Sequence, residues 1–177
     1  SGALELVILP NDADSVRVAQ IAAGTAETDL GLRVAVVPTQ AQVQGLAAMA
    51  VHEPGRSFDQ DVLEMTATAR HARHGAVTIA ARQAMTMAGP CEPGDVLGVI
   101  AGDFAVVGAD LLDVATDVLG RMIGGGAELV TLVTGAGSGA GELGERAAAW
   151  VDTYHPHLDV VVYDGGQERY PLLLSVE

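Results

Sequence analysis

The sequence predicts an α/β fold, a small parallel βαβα lobe over residues 3–53 packed on a mixed-sheet α/β lobe over 54–177. Three observations carry this. The runs L-V-I-L-P at 6–10 and V-A-V-V-P at 34–38 are continuously aliphatic, as a parallel strand buried on both faces requires. Each ends in a proline and runs straight into polar residues that start a helix, Asn11-Asp12 and Thr39-Gln40. Beyond Pro54-Gly55 the pattern changes to shorter strands divided by glycine turns. The two Pro-ended turns therefore lie on one edge of one sheet, the carboxyl edge at which open α/β sheets receive ligands and partners.

The elements follow in order. Strand, helix, strand and helix occupy the stretch up to about 52. Ser57-x-x-Gln60 reads as a capping box, with Asp59 and Asp61 suited to the positive end of a helix running to about 73. Its apolar face is Val62, Met65, Ala69 and Ala72. A strand at 76–82 and an irregular methionine-containing stretch come next. Strands at 95–101 and 104–107 are joined by Gly102-Asp103, a hairpin signal. A helix over 110–123 stops at Gly124-Gly125-Gly126. Strand, helix and strand then lead to 163, and the last strand, 171–176, is reached through Gly165-Gly166 as an antiparallel hairpin.

Composition sets limits on function. The formal charge is −14 and lysine is absent, which opposes a nucleic-acid partner, because affinity for a phosphate backbone comes from clustered cations. A single cysteine, Cys91, excludes an internal disulfide and leaves the histidines without a thiolate with which to build a zinc site. No apolar run approaches the ~20 residues that span a bilayer, and no signal peptide is evident. These features predict a cytoplasmic domain large enough to bury a core.

Several fragments imitate known chemistry. Gly135-Ala-Gly137-Ser-Gly139-Ala140 has the form of the dinucleotide fingerprint, with Asp164 at the end of the following strand. Only one βαβ unit accompanies it, so the 135–141 loop reads as a strand-to-helix turn and no bound cofactor is expected. Ser138 with His155 or His157 and Asp152 or Asp159 suggests a hydrolase, but the flanking Ala136 and Ala140 do not form a nucleophile elbow. Gly165-Gly166-Gln167 spells the release-factor tripeptide and reads here as a tight turn. Arg70, His71, Arg73 and His74 form the one basic cluster, which either complements a helix C-terminus or meets an acidic partner or acyl phosphate. His155-Pro-His157 lacks further metal ligands nearby in sequence.

The runs E-L-V-I-L-P-N, V-A-V-V-P-T-Q with G-L-A-A-M, D-V-L-G-V-I-A-G-D-F-A-V-V-G-A-D-L, E-L-V-T-L-V-T, Y-D-G-G-Q and L-S-V-E, in that order from about 4 to 177, resemble the C-terminal domain of the bacterial fatty acid kinase subunit, in the dihydroxyacetone-kinase-like family. The resemblance implies a DegV-like fold and a non-catalytic domain that docks a DegV-type fatty-acid-binding protein. ATP and Mg²⁺ would be held by a separate N-terminal kinase domain, which transfers the γ-phosphate to a fatty acid carboxyl. It places Asn11, Asp12, Thr39 and Gln40 where a DegV-like site offers polar groups, although helix capping is the simpler role for such residues. A lipid- or small-ligand-binding domain using the same cleft is the alternative, and a phosphatase or hydrolase the third. The resemblance also implies a strand-and-helix segment preceding E-L-V-I-L-P-N in family members. Self-association of these 177 residues through an uncovered edge or patch is therefore expected.

Overall fold

The computed structural model describes residues 2–137 and 139–177. The chain divides into two compact units, Ser1–Ala72 and Arg73–Glu177. The boundary therefore falls later than the 53/54 division that the sequence predicts. The helix beyond that point belongs with the first unit because its Met65 and Ala69 share a buried cluster with Val37 and Ala48.

In the first unit, β1 (Glu5–Ile8) and β2 (Arg33–Val36) run parallel, Leu6 beside Val34, and are linked by α1 (Ala13–Leu30). Asp12 starts α1, its carboxylate accepting the Ser15 amide at 3.0 Å, and Gly31 ends it in the left-handed region at φ 64°. Two helices follow, α2 (Gln42–Ala50) and α3 (Phe58–His71). Ser57 stands at the start of α3, but its hydroxyl reaches the Gln60 side chain and not a backbone amide, so the expected capping box does not close. The expected apolar face is present, with Met65, Ala69 and Ala72 buried and Val62 half-buried.

The second unit contains β3 (Arg73–Ile79), β4 (Ala84–Thr86), β5 (Gly89–Cys91), β6 (Val96–Ile100), β7 (Asp103–Gly108), α4 (Leu111–Ile123), β8 (Leu129–Thr134), α5 (Ala140–Tyr154), β9 (Asp159–Asp164) and β10 (Leu172–Val176). Six of the strands form one sheet in the order β7-β6-β3-β10-β8-β9, parallel only between β8 and β9. The methionine stretch expected to be irregular forms the separate β4–β5 hairpin. β10 does not form the expected hairpin with β9. It crosses to the other side of β8 and pairs antiparallel with both β8 and β3. Its L-L-L-S-V sequence is buried at every position and suits a strand with neighbours on both edges.

Asp110 caps α4, accepting the amides of Leu112 and Asp113 at 2.8 and 3.1 Å. Helices α4 and α5 build the main core with the sheet, centred on Val77, Val118, Leu119, Leu132, Val151 and Leu174. The hairpin turn between β6 and β7 is one residue earlier than expected. Ala101 and Gly102 form it, at φ 51° and 91°, while Asp103 already pairs with Ile100.

Candidate functional site

In the first unit, the carboxyl ends of β1 and β2 bring Asn11 and Thr39 together. Asn11 is one of two non-glycine residues with positive φ among the described residues, at 58°, and its amide donates to the Thr39 hydroxyl at 3.0 Å. Thr39 is fully buried, and its own amide donates to the Val37 carbonyl. It therefore does not cap α2, as expected for that position. Ala41 starts α2 with no side-chain cap, and the Gln40 amide is taken by the Gln44 side chain at 2.8 Å. Gln44 in turn donates to the Ala72 carbonyl. Of the four candidates here, only Asp12 is a side-chain helix cap.

The Asn11 side-chain oxygen is buried and accepts no hydrogen bond from the described residues. It faces Gly45 of α2 so closely that a Cβ there would overlap the carboxamide. A strained backbone holding an unsatisfied buried acceptor at a carboxyl edge is an arrangement found at ligand sites. It can accept from a water, a hydroxyl or an amide.

A second feature of this unit left no signal in the sequence. The Asp61 carboxylate is buried and accepts from His52 Nδ1 at 2.5 Å, the Glu53 amide at 3.0 Å and Arg56 at 3.2 Å. The backbone donor first, and His52 next, hold its pKa below the ordinary carboxylate value. The sequence predicts for Asp61 only a charge complementing a helix dipole, and the nine-residue reach back to His52 has no periodicity that would reveal it. The cluster borders a cavity of about 350 Å³ against one face of β1, with Val7, Leu9, Met49 and Met65 among its walls.

The basic cluster is dispersed by the backbone. Arg70 and His71 are exposed on α3, the His71 ring meeting the Ala67 carbonyl at 2.8 Å. Arg73, the first residue of β3, donates to the carbonyls of Met122 and Gly126 and so closes the C-terminal end of α4. His74 is partly buried, and desolvation lowers its pKa.

At the far end of β8 and β9, Gly135 sits under the carbonyls of Gln167 and Tyr170, leaving no room for a Cβ. Gln167 donates from its side chain to the Val133 and Tyr170 carbonyls, at 3.0 and 3.1 Å, and Gly166 takes φ 65°. Gly165, Gly166 and Gln167 thus lock the crossing from β9 to β10. Ser138, the nucleophile of the hydrolase reading, lies outside the described residues. His155 and His157 have ring centroids 6.2 Å apart, and His155 also lies against Trp150. Among the described residues no group of three or more His, Cys, Asp or Glu side chains could hold a metal, and no helix is long and apolar enough to cross a membrane.

This architecture is shared with solved DegV-type and dihydroxyacetone kinase structures. A DegV family protein from Eubacterium eligens, loaded with heptadecanoic acid, aligns with a TM-score of 0.64 at 15% identity over 99% of this chain and 73% of its own. The Streptococcus pneumoniae fatty acid kinase B3 protein, loaded with linoleic acid, gives 0.70 at 12% identity over 99% and 72%. Dihydroxyacetone kinase from C. freundii gives 0.64 at 12% identity over 96% and 38%. At these identities the likeness concerns the fold alone. An uncharacterized protein of Staphylococcus haemolyticus is 26% identical over 171 residues, which is 97% of this chain and 30% of that protein.

The chain therefore has the mixed α/β, DegV-like fold. More specifically, residues 1–177 match the FakA-like C-terminal family of the fatty acid kinases throughout, and the chain belongs to it. It spans about a third of the length of the curated relatives it matches.

Proposed function

We propose that these 177 residues form a non-catalytic domain of a cytoplasmic fatty acid kinase, a docking module for a DegV-type fatty-acid-binding protein. ATP and Mg²⁺ belong to another domain of the whole protein. In the complete reaction the fatty acid carboxylate attacks the γ-phosphorus of ATP, giving an acyl phosphate and ADP. The observation that carries this reading is the family match over the entire chain. The domain's share of its relatives, 30% of their length, is consistent with a module that leaves the chemistry to other parts of the protein.

Exposed Arg70 on α3 is the position at which to test docking, because its charge can be reversed without removing a helix cap. Arg73 is unsuitable, since its bonds to Met122 and Gly126 belong to the fold. In the whole protein, Arg70→Glu is expected to slow association with the fatty-acid-binding protein in surface plasmon resonance, most strongly at low salt. Unchanged association removes Arg70 from the interface, and a partner that never binds this domain rejects the docking reading.

A second reading, a domain that itself binds a lipid or other small ligand, is favoured by one feature, the unsatisfied acceptor of Asn11 beside Thr39. Native mass spectrometry of the purified chain separates the two. The docking reading expects no stoichiometric fatty acid, because a docking domain can fill the equivalent space with its own side chains.

A further inference from the structure

We propose that the free edge of β9 is a docking strand for a basic, extended peptide segment of a partner protein. β9 is the last strand of the six-stranded sheet, with β8 as its only neighbour among the described residues. The amides of Asp159 and Gly165 both point toward β8, bonding to the carbonyls of Glu128 and Thr134 at 2.9 Å. Strand alternation therefore turns the N–H and C=O groups of Val160 and Val162 outward, where an added strand can take them.

The opposite edge of the sheet is guarded. Its pairing carries an irregularity at Gly98/Val99, and β5 packs beside β7. β9 has no such protection among the described residues, and it exposes Val162 and Tyr163 by 40% and 53%. An unguarded apolar edge of this kind seeks a partner strand.

Charge selects the occupant. Asp159 and Asp164 stand at the two ends of β9, and Asp164 shares an open cavity of about 640 Å³ with Glu145. None of these three carboxylates belongs to an ion pair among the described residues. A segment with an apolar centre and an arginine or lysine at each end is complementary. A second copy of this chain is not. Antiparallel self-pairing centred on Val161 and Val162 would set Asp159 against Asp164 of the other copy at both ends, between two molecules of charge −14.

The test uses the full 177-residue chain and a labelled peptide, R-V-T-V-T-V-R, with E-V-T-V-T-V-E as control. The arginine-ended peptide is expected to bind, to slow amide exchange at Val160 and Val162 by about ten-fold or more, and to weaken with salt. Val162→Pro removes an outward donor while leaving the β8 ladder intact, and should abolish binding with little change in Tm. Should that variant fold poorly, Glu145→Gln with Asp164→Asn is expected to weaken binding by about ten-fold on its own. Equal binding of both peptides overturns the proposal. So does protection of β9 that grows with protein concentration in the absence of peptide, since the occupant is then a second copy.

Discussion

Asn11, Thr39 and Gly45 form a three-residue knot in which each position constrains the next. Thr39→Val removes the hydroxyl that accepts the Asn11 amide and should cost about 1–2 kcal/mol in urea denaturation, whereas Thr39→Ser retains the hydroxyl and should cost less. Gly45→Ala drives a methyl into the Asn11 carboxamide and should destabilise by about 1–3 kcal/mol. The same change at Gly24, where nothing lies within 4 Å and φ is not positive, should stabilise by about 0.4–1 kcal/mol. Acid stability also belongs to single residues. His74 and Asp61 both have folded pKa values below their ordinary ones, 6.5 and 3.8, so the unfolded chain takes up their protons first. Their contributions are complete above those values and decline as pH falls through them. A plot of urea midpoint against pH should therefore drop in two stages, the upper one removed by His74→Gln.

Arg73 shows how an element depends on a side chain distant in sequence. It lies 49 residues before Met122, yet it supplies the donors that the last carbonyls of α4 need. Arg73→Ala should cost about 1.5–3 kcal/mol, and Arg70→Ala, on an exposed face, should stay within about 0.5 kcal/mol of the parent. The glycine-rich segment before α5 receives a similar structural explanation. Gly135 is required by the close approach of two carbonyls, and Glu145 and Asp164 place negative charge beside the loop. Millimolar NAD or NADP is accordingly expected to leave Tm unchanged, and a shift abolished by Gly137→Val would restore the dinucleotide reading.

For the molecule as a whole, the family assignment predicts division of labour. The isolated chain should show neither micromolar ATP·Mg²⁺ binding in calorimetry nor phosphoryl transfer to a fatty acid, while the whole protein shows both. Activity in the isolated chain would overturn its description as a docking module. The exposed edge strand of the second unit and the two-stranded sheet of the first make analytical ultracentrifugation a useful companion measurement, since uncovered edges invite association.

The sequence by itself determined the α/β class and most helix and strand positions. Aliphatic runs, prolines and glycines act over a few residues, and their conformational preferences survive in any surroundings. It also carried the ordered runs that mark the family. It misjudged the turn at Ala101-Gly102 by one residue, because strand register is set by pairing across the sheet and not by the turn residues alone. It placed β10 beside β9, since adjacency in sequence is the default, whereas burial of L-L-L-S-V on both faces required a position between β8 and β3. The partners of Thr39, Asp61 and Arg73 were likewise decided only by the tertiary structure. Each satisfies, or is satisfied by, groups 28, 9 and 49 residues away, and a hydrogen bond across such separations exists only once the chain has folded.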